Sequence, residues 1–289
     1  MRLALGTAQF GLSYGVSNAS GKTSYDEACR ILSRAAAAGI EMLDTAAAYG
    51  DSEQVLGRIG VRNCWQVVSK VPPLPEDGAN GKDWVLRHVR QSLSRLNVGK
   101  LDGLLVHRAT DLLGTEGRNV AAGFKEAKDS GMVSEIGFSI YSPHDLAELV
   151  VTMPPDLVQA PFNVVDQRLV LSGWLDTLVA SGVKVHVRSI FMQGLLLMDR
   201  GSRPSVFQEW DPIWRRWDAA VGSSQDRALS LCIGFVKSYS KLSRIIVGTE
   251  STAHLENILN IWEAAAPFDA ADLACGDERL VDPSNWKLS

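Results

Sequence analysis

Eight polar residues close short apolar runs in this chain: Thr7, Asp44, Lys70, His107, Ser139, Gln159, Arg188 and Thr249. A polar strand end is ordinarily a cap or a turn, but eight at matching positions make coincidence a poor account. Tyr49, shortly after Asp44, adds a phenol to an acid, an ammonium and an imidazole. A phenol with its reference pKa of about 10 serves as a proton donor only when a neighbour brings that value nearer neutrality. The Lys70 ammonium would do so by favouring phenolate, and Asp44 would pair with Lys70 and keep it charged. Taken singly, each group also has a plain reading. Asp44 and Lys70 make a structural ion pair, Tyr49 a loop aromatic, and His107 a satisfied strand-end histidine.

The elements that must position these groups are legible in the periodicity. Apolar residues at 28/31/32/35, 228/231/232/235 and 255/258/259/262 repeat the spacing of one buried helical stripe. Weaker stripes run through Val85, Val89, Leu93 and Leu96, through Leu146, Leu149 and Val150, and through Trp174, Leu175 and Leu178. Ser24 and Glu27 have the spacing of a reciprocal capping box, and Ser142-Pro143 reads as a helix start. Between the stripes lie short apolar runs without alternation, from Leu3–Leu5 to Ile245–Val247, as expected of strands covered on both faces. Gly39, Gly131 and Gly182 stand where left-handed helix ends are wanted. The repeat of about 34 residues per step suits a βα unit. Eight units predict a single-domain (β/α)8 TIM barrel over residues 1–289, with the strand-end residues converging on its catalytic mouth.

One connection is oversized, from Asp199 to Ser223, and it carries Trp210, Trp214 and Trp217. Long connections are usually functional or contain a helix of their own. The expectation is a loop on the catalytic face, with Trp210 and Trp214 against the substrate; the plain alternative is a hydrophobic anchor on the barrel.

The run Asp44-Thr45-Ala46-Ala47-Ala48-Tyr49-Gly50, with Leu5-Gly6-Thr7, Lys70 and His107-Arg108, resembles the aldo-keto reductase family over nearly the whole chain. The resemblance implies hydride transfer to a carbonyl, with Asp44, Tyr49, Lys70 and His107 as the catalytic set and Tyr49 as general acid. His107, with Tyr49, would orient the substrate. It further implies an NADP(H) cofactor, with NAD(H) open, held by Gly6, Thr7, Asp44, Ser139, Gln159, Arg188, Ser189, Gln193, Gly194, Gly248, Thr249, His254 and Asn257. In this scheme Ser139 and Gln159 hold the carboxamide, and Ser189, Gln193 and Gly194 wrap the pyrophosphate. The free backbone amides opening the last helix suit a phosphate. His254 and Asn257 lie toward the adenosine end. Ile140 replaces the asparagine that usually follows the serine, and Arg188 replaces a stacking aromatic. Gly11–Gly15, Gly21-Lys22 and Phe191–Leu195 are similar to members associated with bacterial surface-polysaccharide biosynthesis, which hints at sugar-like carbonyls.

Other chemistries lack their devices. There is no GxGxxG after a strand, no phosphate-loop motif, no HExxH and no GxSxG. A glycosidase needs two facing carboxylates, whereas Asp44 is the one acid among the eight strand ends. The four cysteines are far apart without metal-site spacing, so no metal is expected. With 46% apolar and 21% charged residues and a net charge of −4, the chain can bury a large core and is not built to coat a polyanion. Nucleic acid and membrane are therefore not expected partners; a small-molecule carbonyl is. With no signal-peptide core and no long apolar span, the expected location is the cytoplasm. Two rivals use the same site: an aldose dehydrogenase running oxidatively, and a nicotinamide-binding sensor without turnover. The pattern points to no particular oligomeric state.

Overall fold

Strands β1 (Leu3–Gly6), β2 (Met42–Asp44), β3 (Gln66–Val71), β4 (Leu101–Val106), β5 (Val133–Ser139), β6 (Leu157–Pro161), β7 (Lys184–Arg188) and β8 (Arg244–Gly248) pair in parallel and in sequence order. β8 returns to β1, Leu3–Gly6 lying beside Ile245–Gly248, and closes the barrel. The computed structural model describes residues 1–286 except Ala19, Asn63, Asp77 and Gly78. The chain forms one (β/α)8 domain, as its periodicity predicts.

Side chains alternate between the two faces of a strand. Leu3, Leu5, Leu43, Val67, Leu104, Val158, Val185 and Val247 join the large core under the helices. Ala4, Met42, Val68, Leu105, Leu157 and Ile246 form a second, separate buried cluster, the apolar plug of the barrel interior. Two residues further along each strand the same face presents Gly6, Asp44, Lys70, His107, Gln159 and Gly248. The strand-end residues singled out in the sequence are thus the next storey above the plug, and their position follows from strand alternation.

The helical stripes are buried as expected: Ala28, Ile31, Leu32 and Ala35 in the helix Tyr25–Ala37, and Leu255, Ile258, Leu259 and Trp262 in Thr252–Ala264. Gly39, Gly131 and Gly182 have φ of 77°, 78° and 79°, the left-handed ends their positions call for. The capping box forms only by half. Ser24 accepts from the Glu27 amide, but the Glu27 carboxylate turns away to accept from the Thr252 amide at 2.5 Å.

The segment 199–223 is not an open loop. It winds through 3-10 turns at Arg200–Ser202 and Ser205–Trp210 into the helix Asp211–Val221. Among the described residues, no helix is long and apolar enough to cross a membrane.

Candidate active site

Tyr49 sits in the turn after β2, where its amide donates to the Ala46 carbonyl at 3.0 Å and Ala47 donates to Lys70 on β3. Gly50 has φ of 56°, and a Cβ there would lie 2.4 Å from the Gly11 carbonyl; one on Gly11 would lie 1.8 Å from the Tyr49 carbonyl. Two glycines therefore let the backbone behind Tyr49 seat directly on the β1 connection.

Lys70 is buried, and its three N–H groups are accounted for. Nζ donates to Asp44 Oδ2 at 2.7 Å, to the Thr45 carbonyl at 3.0 Å and to the Tyr49 hydroxyl at 3.3 Å. An ammonium has three donors and no acceptor, so the Tyr49 oxygen accepts from Lys70 and its own proton must point elsewhere. Asp44 Oδ1 in turn accepts from Gln159 Nε2 at 2.7 Å, tying β2, β3 and β6 into one network. His107 meets the Tyr49 ring edge-on, centroids 5.6 Å apart.

Burial acts against the expected lowering of the Tyr49 phenol. Burial pushes the Tyr49 phenol above its ordinary value, the Asp44 carboxylate adds to the rise, and the Arg188 guanidinium opposes it. Burial also pulls the Lys70 ammonium down, against the attraction of Asp44. Burial, then the charges of Lys70 and Arg188, pull His107 down to about 3, so its imidazole is neutral and donates from one nitrogen only.

A cleft opens above this network. Gly6, Thr7, Asp44 and Tyr49 form one part of its wall, Arg188, Ser189, Gln193 and Gly194 another, and Gly248, Thr249 and His254 a third. Lys70 and Gln159 lie behind Asp44, which they contact. Ser139 is buried and faces a neighbouring hollow with Arg108 and Tyr141. Asn257 is not brought to the cleft: it is exposed, and its amide donates to Asp226 at 3.1 Å. The tryptophans are not brought there either. Trp214 and Trp217 are buried, their indole N–H groups donating to the Phe207 and Leu196 carbonyls. Trp210 donates to Asp277, with the Arg279 guanidinium over its ring. The indoles are consumed by anchoring their helix, so the expected substrate contacts of Trp210 and Trp214 give way to the anchor reading.

Parts of the cleft wall carry the chemistry that a dinucleotide would need. Gln159 Oε1 is buried with no partner, an acceptor free for an amide N–H. Ser189, Met192 and Gln193 all adopt positive φ, and Gly194 packs so closely that a Cβ would lie 1.8 Å from Ser17 Oγ. Strained backbone of this kind clusters at ligand-binding turns. The opening of the last helix differs from expectation. Its Thr252 amide is taken by Glu27 and its His254 amide by the Ser251 cap, so these N–H groups are not free for a phosphate.

Sequence reasoning missed the far wall: Gln9, Tyr14, Gly15, Ser17 and Asn18 line the cleft, and so does Glu250. Val16 N donates to the Gln193 carbonyl at 2.9 Å, clasping the first connection onto the seventh. The signal was available, since the connection from β1 to the helix Tyr25–Ala37 exceeds the usual length of a βα loop.

Residues 2–278 match the model of the Aldo/keto reductase family. Oxidoreductase YdhF of Escherichia coli K12 is 33% identical over 125 residues, 43% of this chain and 41% of that protein. The 6-dehydroglucose reductase of Novosphingobium aromaticivorans is 30% identical over 161 residues, 48% of this chain and 51% of that protein. The chain thus spans about half or less of the length of these curated relatives. The holo form of aldo-keto reductase AKR11C1 from Bacillus halodurans shares the fold, with a TM-score of 0.74 at 21% identity over 94% of this chain and 89% of that one. With a family match running through nearly every barrel element, the chain belongs to the aldo/keto reductase family.

Proposed function

We propose that this protein reduces an aldehyde or ketone to an alcohol, with Tyr49 as the acid and a nicotinamide dinucleotide as the reductant. The observation that carries this reading is the Lys70 contact: the ammonium donates to the Tyr49 oxygen and so turns the phenol proton outward. When bound, the dinucleotide supplies the hydride. Tyr49 supplies the proton to the carbonyl oxygen, and the phenolate left behind lies beside the Lys70 ammonium, which stabilises it until solvent returns a proton. Asp44 fixes Lys70. Neutral His107 donates a hydrogen bond that orients the carbonyl. Gln159, Ser189, Gln193 and Gly194 are the residues we assign to holding the dinucleotide.

Tyr49 would give its proton in reduction and take one back in oxidation, so the direction of turnover is for the assay to decide. The name of the 6-dehydroglucose reductase relative, together with the sugar-biosynthesis resemblance, makes polyhydroxylated carbonyls the first substrates to try. The NADP(H) expectation rests on the family resemblance and on Thr249 with His254. Burial holds His254 below its ordinary value with Glu250 opposing, so the imidazole is neutral beside a carboxylate. That wall favours a dinucleotide with little selection for a 2′-phosphate.

The test is to follow oxidation of NADPH and of NADH against a carbonyl panel, alongside reduction of NADP+ and NAD+ by free sugars. Carbonyl reduction is expected. Sugar oxidation alone would favour an aldose dehydrogenase, and binding without turnover a sensor.

A further inference from the structure

Arg188 ends β7 half-buried on the cleft wall. Two other arginines at this mouth are neutralised: Arg108 by Asp111 at 2.7 Å, and Arg168 by Asp166 at 2.9 Å and Glu278 at 3.2 Å. Arg188 has no carboxylate within ion-pair distance among the described residues. It is nonetheless held firmly. One nitrogen donates to the Ile140 carbonyl at 3.0 Å and another to the Ser189 hydroxyl at 3.3 Å, while the Tyr141 ring lies under the guanidinium at 4.5 Å. A guanidinium carries five N–H donors. These two bonds leave the other three without a partner among the described residues.

A half-buried cation without a counterion loses hydration and gains little in return. One that is also locked by stacking and hydrogen bonds is preorganised for a ligand that arrives with the missing charge. The reacting groups feel this charge. Arg188 opposes the rise of Tyr49 and adds to the fall of His107 and Lys70. Arg188 thus places beside Tyr49 a positive charge that no carboxylate within ion-pair distance neutralises among the described residues.

We propose that Arg188 selects carbonyl substrates bearing an anionic oxygen group, a carboxylate or a phosphate, close to the carbonyl carbon. This rests on Tyr49 being the acid of the same cleft. The planar N–H fork takes two oxygens of the group, the Tyr141 stack fixes its plane, and the carbonyl is left facing Tyr49 and His107. Hydrogen bonds to a charged partner are worth enough to raise kcat/KM by ~10- to ~100-fold over a neutral counterpart.

The experiment compares two pairs of aldehydes, succinic semialdehyde with butyraldehyde and glycolaldehyde phosphate with glycolaldehyde. Each is tried with the wild type, Arg188→Gln and Arg188→Lys, folding being checked by circular dichroism and thermal melting. The wild type should prefer the anionic member of at least one pair, and which pair it is separates carboxylate from phosphate. Arg188→Gln should collapse the ratio, and Arg188→Lys should restore part of it. In parallel, butyrate and butyramide are titrated into the wild type with dinucleotide present, and butyrate alone should bind. A wild-type ratio near one overturns the proposal, as does a ratio that survives Arg188→Gln. So does an Arg188→Gln variant that loses dinucleotide affinity with the ratio intact, which would assign the arginine to a cofactor phosphate. If no aldehyde is reduced while butyrate still binds through Arg188, the reductase reading fails and the anion site stands. If neutral aldehydes turn over and butyrate does not bind, the reverse holds.

Discussion

At the scale of single residues, the network around Lys70 decides how the site holds its proton. Tyr49→Phe removes the proposed acid and little of the cleft surface, so turnover should fall by ~10²–10⁴ while dinucleotide affinity by fluorescence titration stays close to wild type. A kcat near wild type would sink the assignment. Lys70→Met should abolish turnover and also destabilise, because it strands the Asp44 carboxylate, 4% exposed, without its partner. Breaking a buried pair costs about 3–5 kcal/mol in urea denaturation. Adding Asp44→Asn should recover much of that stability and none of the activity, which separates the electrostatic role from the chemical one. For pH, the depressed His107 value of about 3 means the imidazole gains a proton only as pH falls through that region. The raised Tyr49 phenol keeps its proton upward through neutrality. Initial reduction rates on a neutral aldehyde should therefore show no acid limb between about pH 5 and 7; one near His107's reference value of about 6.5 would mean that the working enzyme protonates it.

The next scale is that of the elements, where the two glycines behind Tyr49 act through backbone contact alone. Gly11→Ala drives a methyl group into the Tyr49 carbonyl, so the turn must move. We expect it to lower kcat in the wild type but to add nothing in a Tyr49→Phe background, a coupling that double-mutant analysis reads directly. The helix Asp211–Val221 makes the opposite case: Trp214→Ala and Trp217→Ala should each cost about 3–5 kcal/mol of stability and leave substrate preference unchanged. A raised KM with an unchanged melting temperature would put an indole back in the pocket. The spacing of these tryptophans was legible as a helical face. Which side the face turned to was not, because that depends on the Phe207 and Leu196 carbonyls that receive the indoles. The barrel was legible for the converse reason. Strand alternation is local, and counting two residues on from Ala4, Met42, Val68, Leu105, Leu157 and Ile246 reaches Gly6, Asp44, Lys70, His107, Gln159 and Gly248. What stayed hidden was competition for partners across the fold. Asp44 receives Gln159 from 115 positions away, and Glu27 abandons its own helix for Thr252, 225 positions on.

Over the whole molecule, the distribution of charge around the cleft bears on the choice of dinucleotide. The chain carries a net charge of −4, and among the described residues lining the cleft Arg188 is the single Lys or Arg, against the carboxylates of Asp44 and Glu250. A dinucleotide with an added 2′-phosphate brings further negative charge to the wall that holds Glu250 and neutral His254, where one helix amide is already occupied by the Glu27 carboxylate. A ribose diol, by contrast, donates to carboxylates. Titrations of NADPH and NADH should accordingly give affinities within about tenfold of each other, less than the ~1.5–3 kcal/mol that one well-placed cation on the phosphate would contribute. Glu250→Lys supplies that cation on the same wall. It should tighten NADPH by ~10-fold or more relative to NADH, and the gain should shrink as salt is added, because a half-exposed pair is screened. If the wild type already prefers NADPH by ~100-fold, Glu250 faces away from the phosphate and His254 or Thr249 carries the selection. If Glu250→Lys moves both dinucleotides equally, the side chain acts on the pyrophosphate they share.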